Sequence, residues 1–180
     1  PRRLIHQIVE CGVAERVTAE VEKHELTRSF GIPFFVVETR ERDNGDLYDR
    51  LRFILWPKRH NDTISYDADM PLGHISRYLD AVRDECAATA DLTSGFYQLE
   101  IPPPSRALFR FRDDENNLYQ MTRLPMGFSA STELMQIVTE AVAGSVNVCA
   151  QRHVIKGVKT HVWIDDLRIS GRQRDVENAI

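Results

Sequence analysis

Two runs of strand-forming residues late in the chain, Thr160-His161-Val162-Trp163-Ile164 and Leu167-Arg168-Ile169-Ser170, are separated only by Asp165-Asp166. β-Branched and aromatic residues favour extended backbone, and so short a gap leaves room for little but a tight hairpin. The expectation is therefore a hairpin with two acids at its tip. Val162, Trp163, Ile164, Leu167 and Ile169 give it a buried-looking body. Two adjacent carboxylates on such a body concentrate negative charge, for which a divalent cation is a common compensation. An ordinary solvated acidic turn is the alternative.

The rest of the chain alternates between helical and extended patterns. Leu4, Ile5, Ile8, Val9, Val13, Val17 and Val21 recur near the 3.6-residue period, predicting helix over 4–25, with Gly12 a break point. Phe34 to Thr39 and Leu51 to Trp56 read as strands joined through Asp43-Asn44-Gly45-Asp46, a hairpin-turn sequence. Pro71 to Ala87 reads as a helix with Ile75, Leu79, Val82 and Cys86 on one face, and Ala88 to Leu92 as a short strand. Ala107 to Arg112 and Leu118 to Leu124 read as strands about a turn. Thr132 to Ala143 reads as a helix with Leu134, Ile137, Val138, Ala141 and Val142 as its apolar stripe, Thr132 as N-cap and Gly144 as stop. Hairpins and helices so interspersed make an α+β chain.

The chain has 180 residues, 42% of them hydrophobic, enough for one compact domain or two small ones. Its net charge of −4 does not suit a dedicated nucleic-acid binder, so any such role rests on local charge. Between Arg40 and Arg59 six basic residues face four acids, a local excess of two that by default is a solvated hairpin face. Three cysteines, Cys11, Cys86 and Cys149, stand far apart with no C-x-x-C, so reduced thiols in an intracellular compartment, cytoplasmic or nuclear, are expected. Cys149 and His153 lack a second pair nearby and are read as ordinary side chains. No apolar run has the length of a membrane span, and neither a P-loop nor a G-x-G-x-x-G is present.

A third acid, Asp91, ends the Ala88–Leu92 strand. With Asp165 and Asp166 it could complete a site for two hard cations, which in phosphoryl transfer stabilise both attacking and leaving oxygens. Spacing alone does not bring Asp91 to Asp165.

At these residues the chain resembles the reverse transcriptases of retrotransposons. Asp91-Leu92-Thr93-Ser94-Gly95-Phe96-Tyr97-Gln98-Leu99-Glu100-Ile101 is similar to their first palm motif, Arg123-Leu124-Pro125-Met126-Gly127-Phe128-Ser129-Ala130-Ser131 to their LP-x-G block, and Trp163-Ile164-Asp165-Asp166 to their Tyr-x-Asp-Asp turn. The three stand in the family's order. Upstream, Gln7 to Val13, Arg50 to Ile54, Lys58 to Asn61 and Pro71-Leu72 also resemble it, so the likeness covers most of the chain.

The resemblance implies an RNA-directed DNA polymerase that adds deoxynucleotides to a primer. Asp91, Asp165 and Asp166 would be catalytic and would ligate two Mg2+ ions, with Mn2+ as a substitute. Leu92 would add its carbonyl, and Phe96 would be the steric gate against a ribose 2′-hydroxyl. Arg52 would contact the incoming triphosphate through its forked guanidinium. Gly127 would let backbone approach nucleotide and template. Gln136 is left between facing the template and lying on a solvated helix surface. Without the family motifs, Phe96 reads as a core aromatic, Arg52 as a surface arginine and Gly127 as a turn glycine.

The implied fold is the fingers and palm of a right-hand polymerase, with a small antiparallel palm sheet backed by helices. Residues 1–66 and 99–130 would form fingers, and 67–98 and 131–180 palm. The thumb and RNase H domains of a parent polyprotein would lie beyond the chain, leaving the isolated piece weak or inactive. Expected partners are an RNA or DNA template with primer and deoxynucleoside triphosphates, and no membrane. There are departures from the family pattern. Trp163 stands where Tyr is usual, Thr132 where many relatives carry Pro, and Trp56-Pro57 interrupt the fingers block. The second triphosphate-binding lysine has no match, with Arg42 and Arg50 as substitutes. These leave two rivals: a decayed or domesticated nucleic-acid-binding module derived from such an enzyme, and an unrelated interaction domain.

Overall fold

The structure, a computed structural model, describes residues 2–23, 30–66, 72, 76, 79–144 and 156–180. Along the chain run α1 (Arg2–Glu10), β1 (Ala14–Arg16), α2 (Ala19–Lys23), β2 (Ile32–Glu41), β3 (Leu47–Trp56), α3 (Lys58–Thr63), α4 (Leu79–Val82), β4 (Cys86–Asp91) and α5 (Gly95–Gln98). A 3-10 helix (Pro103–Phe109) follows, then β5 (Arg110–Arg112), β6 (Leu118–Met121), α6 (Ser131–Val142), β7 (Val158–Trp163), β8 (Asp166–Gly171) and α7 (Gln173–Glu177). The chain forms two compact units, 1–66 with 96–131, and 67–95 with 132–180. Among the described residues the three sheets are antiparallel.

The first unit holds a three-stranded sheet of order β1-β6-β5 and the β2-β3 hairpin. The hairpin runs in unbroken register from Ile32 opposite Trp56 to Glu41 opposite Leu47. Its turn is the expected one: Gly45 takes φ +84°, and the Arg42 N–H donates to the Asp46 carbonyl at 2.9 Å. Phe53, Leu55, Phe111 and Met121 are buried at its centre with Ile5 and Ile8 of α1. The Phe53 ring lies 5.7 Å from Phe35 and 5.2 Å from Phe111, within the range of favourable aromatic pairs.

The second unit is built on a sheet of order β4-β8-β7. Val176 of α7, Met135 of α6 and Val162 of β7 supply buried apolar contacts. Asp84 anchors the far end of this sheet, accepting from the buried Ser170 Oγ at 2.7 Å and from Lys159 Nζ at 3.0 Å. Those two donors hold its carboxyl below the usual range.

Several sequence expectations need correction. The stretch expected to be helical over 4–25 does break at Gly12, but among the described residues only Arg2–Glu10 and Ala19–Lys23 are helical, with a strand between them. Gly12 takes φ +68° and its N–H donates to Val9, while the Val13 N–H reaches back to Ile8 at 2.8 Å. That pair of bonds about a left-handed glycine ends a helix, and Ala14–Arg16 then pairs with Tyr119–Met121 as β1. Of the helix expected over 71–87, the described residues show α-helix only at Leu79–Val82 and 3-10 helix at Ser76, and Pro71 and Ile75 lie outside them. Cys86 opens β4 opposite Gly171, because the ladder to β8 overrides the helical period. Ala107, Leu108 and Phe109 belong to the 3-10 helix, which Pro103 helps start. Cys149 and His153 lie outside the described residues.

The α6 stripe is also reversed. Leu134, Ile137 and Val142 are exposed by 43%, 41% and 67%, whereas Met135, Gln136 and Thr139 are buried. The buried hydroxyl is satisfied, since Thr139 Oγ1 donates to the Met135 carbonyl at 2.9 Å. At the helix start, Ser131 Oγ donates to the Pro125 carbonyl at 2.6 Å. Polar residues can line a core when each finds its partner. Gly144, at φ +71°, ends the helix as expected. No helix among the described residues is long and apolar enough to cross a membrane.

Candidate active site

The sheet of the second unit brings Asp91, Asp165 and Asp166 to one end. Asp91 is the last residue of β4, and its register partner on β8 is Asp166. Asp166 is in turn the partner of Trp163 on β7. Register partners share a face, so Asp91, Asp166 and Trp163 form a row across the three strands. Thr89, Arg168 and His161 form the next row on that face. Facing Cα atoms in such a ladder stand about 4.5–5.5 Å apart. The Leu92 N–H donates to the Asp165 carbonyl at 3.2 Å, tying the residue after β4 to the turn.

The turn itself is offset by one residue from the expectation. Ile164 and Asp165 connect the strands, while Asp166 is the first residue of β8. Ile164 takes φ +58°, a left-handed conformation that a β-branched residue resists. The first central position of a tight hairpin turn favours glycine for the same reason. Gly95 is buried against this turn: a Cβ there would stand 3.3 Å from Met135 Cε and 3.4 Å from Asp165 Cβ.

Gln136 takes neither of the two places that the sequence left open for it. It is 2% exposed, so it neither faces solvent nor a template. Its Oε1 accepts from the Ile164 N–H at 2.5 Å, and its Nε2 donates to Glu140 Oε1 at 2.9 Å, with a longer contact of 3.4 Å to the Val162 carbonyl. No local signal marked it, since its helical neighbours Thr132, Glu133, Thr139 and Glu140 are all polar.

Beside Asp166 opens a groove of about 580 Å3 lined by Thr89, His161, Trp163, Leu167 and Arg168. Burial, reinforced by the positive charges of Arg168 and Lys159, pushes the His161 imidazole below its usual value. At neutral pH it is therefore an uncharged lining group.

Arg52, Phe96 and Gly127 belong to the first unit. Arg52 Nε donates to Glu38 Oε2 at 2.8 Å across the hairpin. Arg40 also binds Glu38, and the two guanidiniums hold that carboxyl below the usual range. Of the substitutes for the missing lysine, Arg50 is the register partner of Glu38, and Arg42 lies 5.2 Å from the centroid of the Tyr48 ring. Phe96 is half-buried. Gly127 has a local reason to be glycine, because a Cβ there would stand 2.1 Å from the Leu55 carbonyl oxygen. Asn61 fastens this loop, its Nδ2 donating to the Gly127 carbonyl at 3.0 Å and its Oδ1 accepting from the Ser129 N–H at 3.2 Å.

The donor set at the sheet end is all carboxylate and carbonyl oxygen, the chemistry that hard divalent cations take. Among the described residues, no three His, Cys, Asp or Glu side chains are gathered around one point. The carboxylates thus share a sheet end without forming a closed cage.

Three comparisons bear on this arrangement. No protein-family model matches the chain. It is 26% identical over 166 residues to the retrovirus-related Pol polyprotein from transposon 412 of Drosophila melanogaster, a match covering 87% of this chain and 12% of that protein. The native prototype foamy virus protease-reverse transcriptase superposes with a TM-score of 0.66 at 22% identity, over 97% of this chain and 20% of that one. The foamy viral protease-reverse transcriptase in complex with double-stranded DNA gives 0.65 at 19% identity, over 99% and 31%. The chain thus spans about an eighth of the curated relative and less than a third of either structure.

Proposed function

We propose that this chain, which has the α+β fold of a reverse-transcriptase region, is the fingers-and-palm core of a retroelement RNA-directed DNA polymerase. The unit built from 67–95 and 132–180 is the palm in this reading, and the other is the fingers. One observation carries it: Asp91 and Asp165-Asp166, distant in sequence, meet at one end of a three-stranded antiparallel sheet. The similarity to a retrovirus-related Pol polyprotein supports the same reading. The substrates are deoxynucleoside triphosphates and a primed RNA or DNA template.

Asp91, Asp165 and Asp166 would hold two magnesium ions, or manganese, with the Leu92 carbonyl as a further ligand. When bound, such ions activate a primer hydroxyl and offset triphosphate charge. The chain's own part is positioning. Arg52 exchanges its single Nε bond to Glu38 for the triphosphate, whose oxygens its fork can bind in pairs. The Phe96 ring excludes a ribose 2′-hydroxyl. Gly127 keeps its loop close to the β3 backbone and bare toward the nucleotide.

The test is primer extension on an RNA template with magnesium and deoxynucleotides, using the chain alone and within any longer protein that carries it, beside Asp165→Asn. Extension that Asp165→Asn abolishes supports the polymerase. No extension by folded, template-bound protein transfers the assignment to a decayed nucleic-acid-binding module.

A further inference from the structure

The aspartate turn holds a conformation its own sequence disfavours. Ile164 sits at φ +58°, where a Cβ-branched side chain costs roughly 1–2 kcal/mol against the right-handed alternative. Asn, Asp or Gly would relieve it locally. A strained residue persists only where its surroundings over-determine it. Gln136 supplies that constraint from a different element.

Among the described residues β7 is an edge strand of its sheet, with no strand beside its outward N–H and C=O groups. The Gln136 amide stands in for one. Its oxygen accepts from the Ile164 N–H and its nitrogen reaches the Val162 carbonyl, the two backbone groups that flank Trp163. A parallel neighbouring strand bonds the same pair of groups. The second amide hydrogen goes to Glu140, one turn along α6. Buried as it is, the amide has these partners at fixed places and no solvent to exchange them for.

We infer that Gln136 is a positioning residue: it locks Ile164 in the left-handed conformation and so sets where Asp165 and Asp166 point relative to Asp91. The role of those acids rests on the polymerase reading above; the grip of Gln136 on the turn does not. Groups that orient metal-binding carboxylates without touching the metal typically change metal affinity or activity 10–100-fold when lost.

Hydrogen exchange at the Ile164 amide of the unaltered chain is the first readout. Protection matching the β7–β8 ladder amides is expected, and the rapid exchange of a free turn amide would overturn the inference. Gln136→Met, similar in length and without the amide, is the second. It is expected to speed Ile164 exchange roughly tenfold, the factor that one hydrogen bond's net worth supports. It should also weaken Mn2+ binding, followed by electron paramagnetic resonance, about 10–100-fold, and raise the Mg2+ needed for half-maximal primer extension while template affinity stays unchanged. Wild-type Mn2+ affinity in a folded Gln136→Met protein whose Ile164 amide has been freed would refute it. If Gln136→Met does not fold, the exchange result on the unaltered chain decides. If the unaltered chain neither binds Mn2+ nor extends primers, the polymerase reading fails, and Ile164 exchange still judges the grip.

Discussion

Asp91 and Asp166 stand directly opposite one another as the last register pair of the β4–β8 ladder. Like charges in that relationship repel, and both side chains are exposed. A fold keeps such a pair at a cost in stability, and sites that bind ligands commonly carry that cost.

Removing one charge of the pair should therefore stabilise the chain while harming its proposed chemistry. Asp166→Asn is expected to raise the thermal midpoint by roughly 1–3 °C. It should also lose most of the further rise that millimolar Mn2+ gives the unaltered chain. Melting scans with and without the ion read both effects. A lower midpoint in the variant would mean that Asp166 is a structural residue and that the facing charges are compensated within the protein.

Arg52 offers a second prediction, because its partner is known. Glu38 is charged at neutral pH, held so by Arg40 and Arg52, and it engages Arg52 Nε, part of the fork that the proposed triphosphate would take. Glu38→Gln should lower the KM for deoxynucleotides by about two- to fivefold with kcat little changed, since a half-exposed ion pair competes only weakly. Arg52→Lys should raise KM, because an ammonium cannot bind two oxygens at once in the same plane. Steady-state extension kinetics separate the two constants. An unchanged KM in both variants removes Arg52 from the nucleotide site.

Short-range signals in the sequence proved dependable. The Asn44-Gly45 turn and the β2–β3 register around it follow from residues within a few positions of each other. The three acids were also legible as a set, through motif order, but only the ladder brings Asp91 beside Asp166. Periodicity failed where tertiary contacts decide. α6 buries Met135, Gln136 and Thr139 and leaves Leu134 and Ile137 exposed, because each buried polar group finds a partner that no one-dimensional pattern displays. The one-residue offset of the aspartate turn has a similar origin. Ile164 has a strand former's side chain, and its left-handed backbone is imposed from α6 rather than written in its own identity. In the same way the strand at Ala14–Arg16 depends on Tyr119–Met121, about a hundred residues onward.

The last prediction concerns alkaline stability. The Tyr97 hydroxyl donates to the Phe53 carbonyl at 2.8 Å. Burial pushes its pKa up to about 12, tempered by the positive charge of Arg52. An unfolded tyrosine titrates near 10. Below that value both states hold the proton and the buried hydroxyl's full contribution is present. Between pH 10 and about 12 the unfolded chain releases the proton while the folded chain keeps it, so stability falls as pH rises through this window. Tyr119 is shifted in the same direction, chiefly by burial, and adds to the decline. Tyr97→Phe is expected to lose about 1 kcal/mol at pH 8, leaving the Phe53 carbonyl without this donor. Above pH 10 the variant should decline less steeply than the unaltered chain, because one of the two raised tyrosines has gone. Urea unfolding at half-unit steps from pH 8 to 11.5 gives both quantities. Parallel slopes for the two proteins would show that Tyr97 ionises as readily in the folded chain as in the unfolded one, and would remove the buried Tyr97–Phe53 bond as a determinant of stability at high pH.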